Sequence, residues 1–174
     1  MGVSGGAARP HGRAACCILE ASEMSVLARL GQLGIELPQA APPLASYVSA
    51  VRTGNLVYTS GQLPIEDGRL PQTGKVGADV SLGEGKALAR ICALNALAAV
   101  DSLVGLDSVT GVVKVVGFVA SSSGFNGQPS VVNGASDLFA EVFGDRGRHA
   151  RSAVGVAELP LGAPVEIELI VELG

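Results

Sequence analysis

A few polar positions could do chemistry in a chain otherwise dominated by small aliphatics: Tyr47, the turn Ser60-Gly61-Gln62, Asn133, Arg151 and Glu166. The planar guanidinium of an arginine such as Arg151 can grip a carboxylate through two parallel N–H donors, a geometry that lysine cannot reproduce. A carboxylate such as Glu166 can orient a water and exchange protons with it. No GxSxG, no Cys–His pair and no phosphate-cradling glycine loop at a strand–helix junction accompanies them, and TGKVG at 73–77 lacks the GxxxxGK[ST] spacing. Each position also has an ordinary structural reading. Arg151 lies in the basic cluster Arg146, Arg148, His149 and fits a solvated residue or a surface ion pair, while Glu166 shares its face with Glu168 and Glu172 and by itself fits an ordinary solvated face. Tyr47 fits a half-buried strand residue, and Asn133 can merely flank a buried helix face. The Ser60 hydroxyl can bond ligand or backbone, and Gly61 serves where backbones approach closely.

Positioning these residues takes both helices and strands. Val26, Leu27, Leu30 and Leu33 predict a short helix over 25–34, stopped by Gly34. ELPQAAPPLAS is an extended, proline-rich connection. Strands are expected over 47–52 and 55–60 around Thr53-Gly54-Asn55, and a loop follows through Gly77. Ser81 and Glu84 have capping-box spacing ahead of a long Ala- and Leu-rich helix that Gly105 ends. GVVKVVGFVA is nearly continuous in β-branched residues and predicts a central buried strand over 109–120. A second long helix begins near Pro129 and ends at Gly144. In the last strand, Val165, Ile167, Leu169 and Val171 alternate with Glu166, Glu168, Ile170 and Glu172. The expected architecture is a single α/β domain, a mixed sheet of about six strands with two main helices on one face. Residues 152–158 and 165–171 read as an antiparallel hairpin about Gly162. That register puts Arg151 roughly 20–25 Å from Glu166 within one chain, so the two would serve one site only across a subunit interface.

Composition narrows the function classes. The 174 residues are 48% hydrophobic and 3% aromatic, with a formal net charge of −4. That balance disfavours a nucleic-acid surface, which needs basic groups to meet phosphates. No apolar run in the sequence reads as a membrane span. Cys16, Cys17 and Cys92 form no CxxC and no disulfide framework, which points to a reducing, cytoplasmic compartment. His11 and His149 are the only histidines and complete no metal site. Residues 1–23 lack periodicity and read as a disordered tail, an over-extended start or a short targeting peptide, whereas Met24 opens a sensible helix.

The segments ARSAVGVAELP (150–160) and VEIE (165–168), with GNLVYTSGQLP (54–64) and VVNGASDLFAEVFG (131–144), resemble the Rid family of YjgF-like imine/enamine deaminases. The resemblance spans about residues 42–174 and fits a longer variant with an N-terminal helix. It implies a chorismate-mutase-like fold and a homotrimer with sites at subunit interfaces. It also implies a cofactor-free hydrolase turning reactive 2-imino or enamine acids into 2-oxo acids and ammonia. Arg151 would hold the substrate carboxylate, Glu166 would work on water, and Tyr47, Ser60, Gly61 and Asn133 would line the pocket. The family often carries a cysteine two positions after the arginine. Here that position is Ala153, so a thiol nucleophile is not on offer. The 121–130 loop also differs from the shortest members. A ligand-binding or regulatory role and an endoribonuclease or translation-inhibitor role are the other classes implied.

Overall fold

The structure is a computed structural model, and it describes residues 1–2, 24–40 and 46–174. The expectation for residues 1–23 therefore falls almost wholly outside the described residues. Among the described residues three α-helices, α1 (Val26–Gln32), α2 (Leu82–Val104) and α3 (Gln128–Phe143), pack with five strands. The strands are β1 (Ala50–Thr53), β2 (Leu56–Thr59), β3 (Val109–Ala120), β4 (Ala150–Val156) and β5 (Val165–Leu173), in the order β1-β2-β5-β3-β4. The mixed sheet thus has five strands rather than about six. The stretch after Gly61 makes only isolated bridges, Gln62 to Ile167 and Glu66 to Arg69 among them.

Local chemistry explains the element boundaries. The Ser81 Oγ accepts from the Glu84 N–H at 3.2 Å, and Glu84 Oε2 accepts from the Ser81 N–H at 2.8 Å, so the capping box forms. Gly105 at φ 76° ends α2, and Gly144 at φ 59° ends α3. At the front, the Ser25 Oγ caps α1 by accepting from the Ala28 N–H. By length and composition α2 is apolar enough to cross a membrane, which corrects the composition reading. Half of that stretch is buried within the protein, as befits a core helix packed on the sheet beside α3.

The C-terminal pairing departs most from expectation. β4 and β5 do not form a hairpin; they flank β3 on its two edges, β4 parallel and β5 antiparallel. The physical reason lies in β3 itself. A buried twelve-residue strand has N–H and C=O groups on both edges, and each edge needs a partner. The link from Ala157 to Pro164 is also far longer than a two-residue hairpin turn, and its prolines lack a ladder donor. It steps over the end of β3, where the Ala120 N–H donates to the Pro164 carbonyl at 2.9 Å. β3, α3 and β4 form a parallel crossover unit, and β2, α2 and β3 form a second one with β5 inserted.

Both long helices lie on one face of the sheet, over Val115, Val119, Ile167 and Leu169, all fully buried. They cross at Gly134, where an added Cβ would run into the Lys86 backbone carbonyl of α2. Backbone cannot yield as a side chain can. Gly134→Ala is therefore expected to lower the melting temperature by about 3–10 °C, the scale of about 1–3 kcal/mol of overpacking in a domain this size. A calorimetric scan reads this directly, and an unchanged transition would refute the close crossing.

Candidate functional site

The side-chain alternation of the sheet divides the polar residues into two groups. Glu166 pairs with Phe118, so it lies with Glu168 on the face away from the helices. Arg151 pairs with Val115, whose side chain is buried under α3, so it lies on the helix face at the sheet edge. The two strands are separated by β3, and the register offset is three residues. Their Cα atoms are then about 14 Å apart rather than 20–25 Å, with the side chains departing in opposite directions. One small ligand cannot touch both in a single chain. The separation expected from the hairpin is corrected: opposite faces, not strand length, keep the two apart.

On the helix face, Arg151 meets α3. Its Nη1 donates to Asn133 Oδ1 at 2.7 Å and to Ser136 Oγ at 3.1 Å. Asn133 and Ser136 are three residues apart and so share one side of the helix. Those two bonds occupy both hydrogens of Nη1. The opposite edge of the guanidinium, with parallel Nε–H and Nη2–H donors, has no partner among the described residues, and no carboxylate pairs with it there. Arg151 is exposed. Its ion-pair reading finds no partner among the described residues, its exposure fits a solvated arginine, and its unbonded edge has the shape to meet a carboxylate. Ala153, two residues on and on the same face, packs against the core edge.

On the open face, Glu166 is half-buried. Burial is the main influence that raises its carboxyl above the ordinary value, and the negative charge of Glu168 adds to it. A carboxyl moved toward neutrality is better suited to passing protons to and from water. Gly61 lies directly against it, because a Cβ there would land on the Glu166 carboxylate. Backbone bonds in both directions between Gln62 and Ile167 hold Gly61 in place. Asn95 of α2 pins the next turns by donating to the Leu63 and Ile65 carbonyls at 2.9 and 3.0 Å. The Ser60 hydroxyl is spent on the backbone, donating to the Val48 carbonyl at 2.6 Å, so it organises the loop. Tyr47 stands next to Val48, exposed, just ahead of β1. The structure therefore brings together Arg151 with Asn133, and Glu166 with Gly61.

The raised carboxyl has a consequence for stability. The folded state holds the Glu166 proton more tightly than the unfolded chain, so the associated stability is present at low pH and lost as pH climbs through the folded pKa. Glu166→Gln removes that penalty. The substituted protein is expected to melt above the parent at neutral pH, with the gap closing as pH falls to about 4. Melting curves across that range decide it; a gap independent of pH would be inconsistent with a buried ionisation.

Sequence reading passed over Ser136 and His149 as site residues. Ser136 Oγ and His149 Nε2 are 3.0 Å apart, and His149 Nδ1 is 2.6 Å from the Gly147 carbonyl. The available signal was the i, i+3 spacing of Asn133 and Ser136. The buried Cys92 thiol donates to the Val165 carbonyl at 3.5 Å, and burial pushes its pKa well up, so it behaves as a small core residue.

The family described as Endoribonuclease L-PSP matches residues 38–173. Protein TCP17 of Trypanosoma cruzi is 51% identical over 150 residues, covering 85% of this chain and 94% of that protein. Among solved structures, the protein Atu1372 of unknown function from Agrobacterium tumefaciens is 46% identical, with a TM-score of 0.78 over 86% of this chain and 92% of that one. TdcF of E. coli, crystallised with bound serine, is 31% identical with a TM-score of 0.57, covering 79% of this chain and 96% of its own.

Proposed function

The chain belongs to the Endoribonuclease L-PSP (YjgF/Rid) family, and from that premise we propose that it hydrolyses small 2-imino or enamine acids to 2-oxo acids and ammonia. The free edge of Arg151, anchored from behind by Asn133 and Ser136 and lacking a carboxylate partner among the described residues, carries the reading. A relative crystallised with serine points to the same ligand class, a small amine bearing a carboxylate.

In this mechanism Arg151 holds the substrate carboxylate and orients the adjacent C=N carbon. Glu166 accepts a proton from a water as its oxygen bonds to that carbon, giving a carbinolamine. It returns the proton to nitrogen; ammonia then departs with the C–N bonding electrons while Glu166 takes the hydroxyl proton, leaving the C=O of the 2-oxo acid and a carboxyl that protonates the next imine. Water supplies the oxygen, so the balance needs no redox partner or cofactor. Because Arg151 and Glu166 lie on opposite faces, the site is completed between subunits. The open face carries exposed Val51, Tyr58, Val113 and Val154, an apolar surface that a second copy can cover. A head-to-tail arrangement, β4 edge of one subunit against the open face of the next, closes into the homotrimer.

The test is a coupled assay of ammonia release over a panel of imino acids generated in situ by an amino-acid oxidase. Acceleration confined to carboxylated imines is expected. Carboxylate binding without ammonia release would leave a ligand-binding module. Cleavage of RNA by rigorously purified protein, lost in Arg151→Ala, would favour a ribonuclease, against which the net charge of −4 argues.

A further inference from the structure

We infer that Ser136 and His149 are positioning residues for Arg151, linked to it by a hydrogen-bond chain whose direction is fixed from one end to the other. The chain begins at the Gly147 carbonyl, 2.6 Å from His149 Nδ1. A carbonyl only accepts, so Nδ1 carries the hydrogen. In the neutral ring Nε2 is then a bare acceptor, and Ser136 Oγ at 3.0 Å must donate to it. With its hydrogen committed, Ser136 Oγ presents lone pairs to Arg151 Nη1 at 3.1 Å, and a guanidinium only donates. Asn133 Oδ1 takes the remaining Nη1 hydrogen at 2.7 Å. Each bond dictates the polarity of the next.

The starting point of the chain is rigid. Gly147 is buried against backbone, because a Cβ there would collide with the Phe139 carbonyl. The Phe139 ring meets His149 edge-on at 5.9 Å and 87°, which fixes the imidazole plane. Ser136 comes from the middle of α3, and His149 stands in the two-residue link immediately ahead of β4. The chain holds the back of the guanidinium and leaves the Nε–H and Nη2–H edge aimed at solvent. A long, rotamer-rich side chain is thereby ordered before a ligand arrives, and that ordering need not be supplied by the ligand. The inference rests on the carboxylate-binding reading of Arg151 for its ligand half; the chain itself rests on the geometry alone.

The test combines a structural readout with a binding readout. Ring nitrogen and carbon NMR shifts of His149 in the full-length protein, at about pH 8.5, are expected to show the Nδ1–H tautomer. The Nε2–H tautomer would overturn the chain whatever the protein binds. Binding is read with 2-oxobutanoate as probe. Ser136→Ala and His149→Phe are expected to weaken it about three- to tenfold, the scale of one hydrogen bond or a little more. His149→Gln offers an acceptor toward Ser136 and is expected to stay within about twofold of the parent. A merely structural histidine would predict the reverse, with the ring-preserving phenylalanine tolerated and glutamine not. Equal affinities in all four proteins would overturn the positioning role. Failure of the parent protein to bind the probe would instead overturn the carboxylate reading, while the tautomer still decides the chain.

Discussion

Arg151→Ala is expected to lower kcat/KM for a carboxylated imine by roughly ten- to more than a hundredfold, with the fold intact. The size follows from losing a charge-assisted contact of about 1.5–3 kcal/mol. Arg151→Lys is expected to fall nearly as far. Asn133 and Ser136 hold one edge of the planar group so that the other presents two parallel donors, and an ammonium cannot satisfy both arrangements. The exposed side chain contributes little to the core, so melting temperatures should stay close to the parent. Steady-state kinetics and melting curves on the two variants check both halves. Near-parental turnover in Arg151→Ala would sink the mechanism.

Mixing two impaired variants is expected to raise activity above that of either. Arg151→Ala and Glu166→Ala, dissociated together and reassembled, should form interfaces that draw their arginine from one parent and their glutamate from the other. If each site in a head-to-tail ring takes one residue from each neighbour, random assembly restores about a quarter of the sites. The expectation comes from the sheet: Glu166 faces away from the helices with Phe118, and Arg151 faces them with Val115. Full subunit exchange without recovered turnover would mean that the two residues act from the same chain or that one is uninvolved. Each variant reassembled with itself is the control and should stay at its own impaired level.

Local chemistry made much of this protein legible from its residues. Ser81 and Glu84 announced the start of α2, and Gly105 and Gly144 announced where the long helices stop. Strict alternation sorted β5 into a core face and an acidic face. The segments around Arg151 and Asn133 were close enough to a family pattern to name the residues that structure then placed side by side. What failed was pairing. Period and turn chemistry say what a segment is, but not which of several edges it will join. That choice is made when β3 claims a neighbour on each side, and it turned an expected hairpin into two strands flanking a third. From the same choice came the placement of Arg151 and Glu166 on opposite faces and the meeting of α3 with His149, thirteen residues from Ser136 in sequence. Such contacts depend on where distant backbone arrives, so only the assembled sheet and helices could decide them.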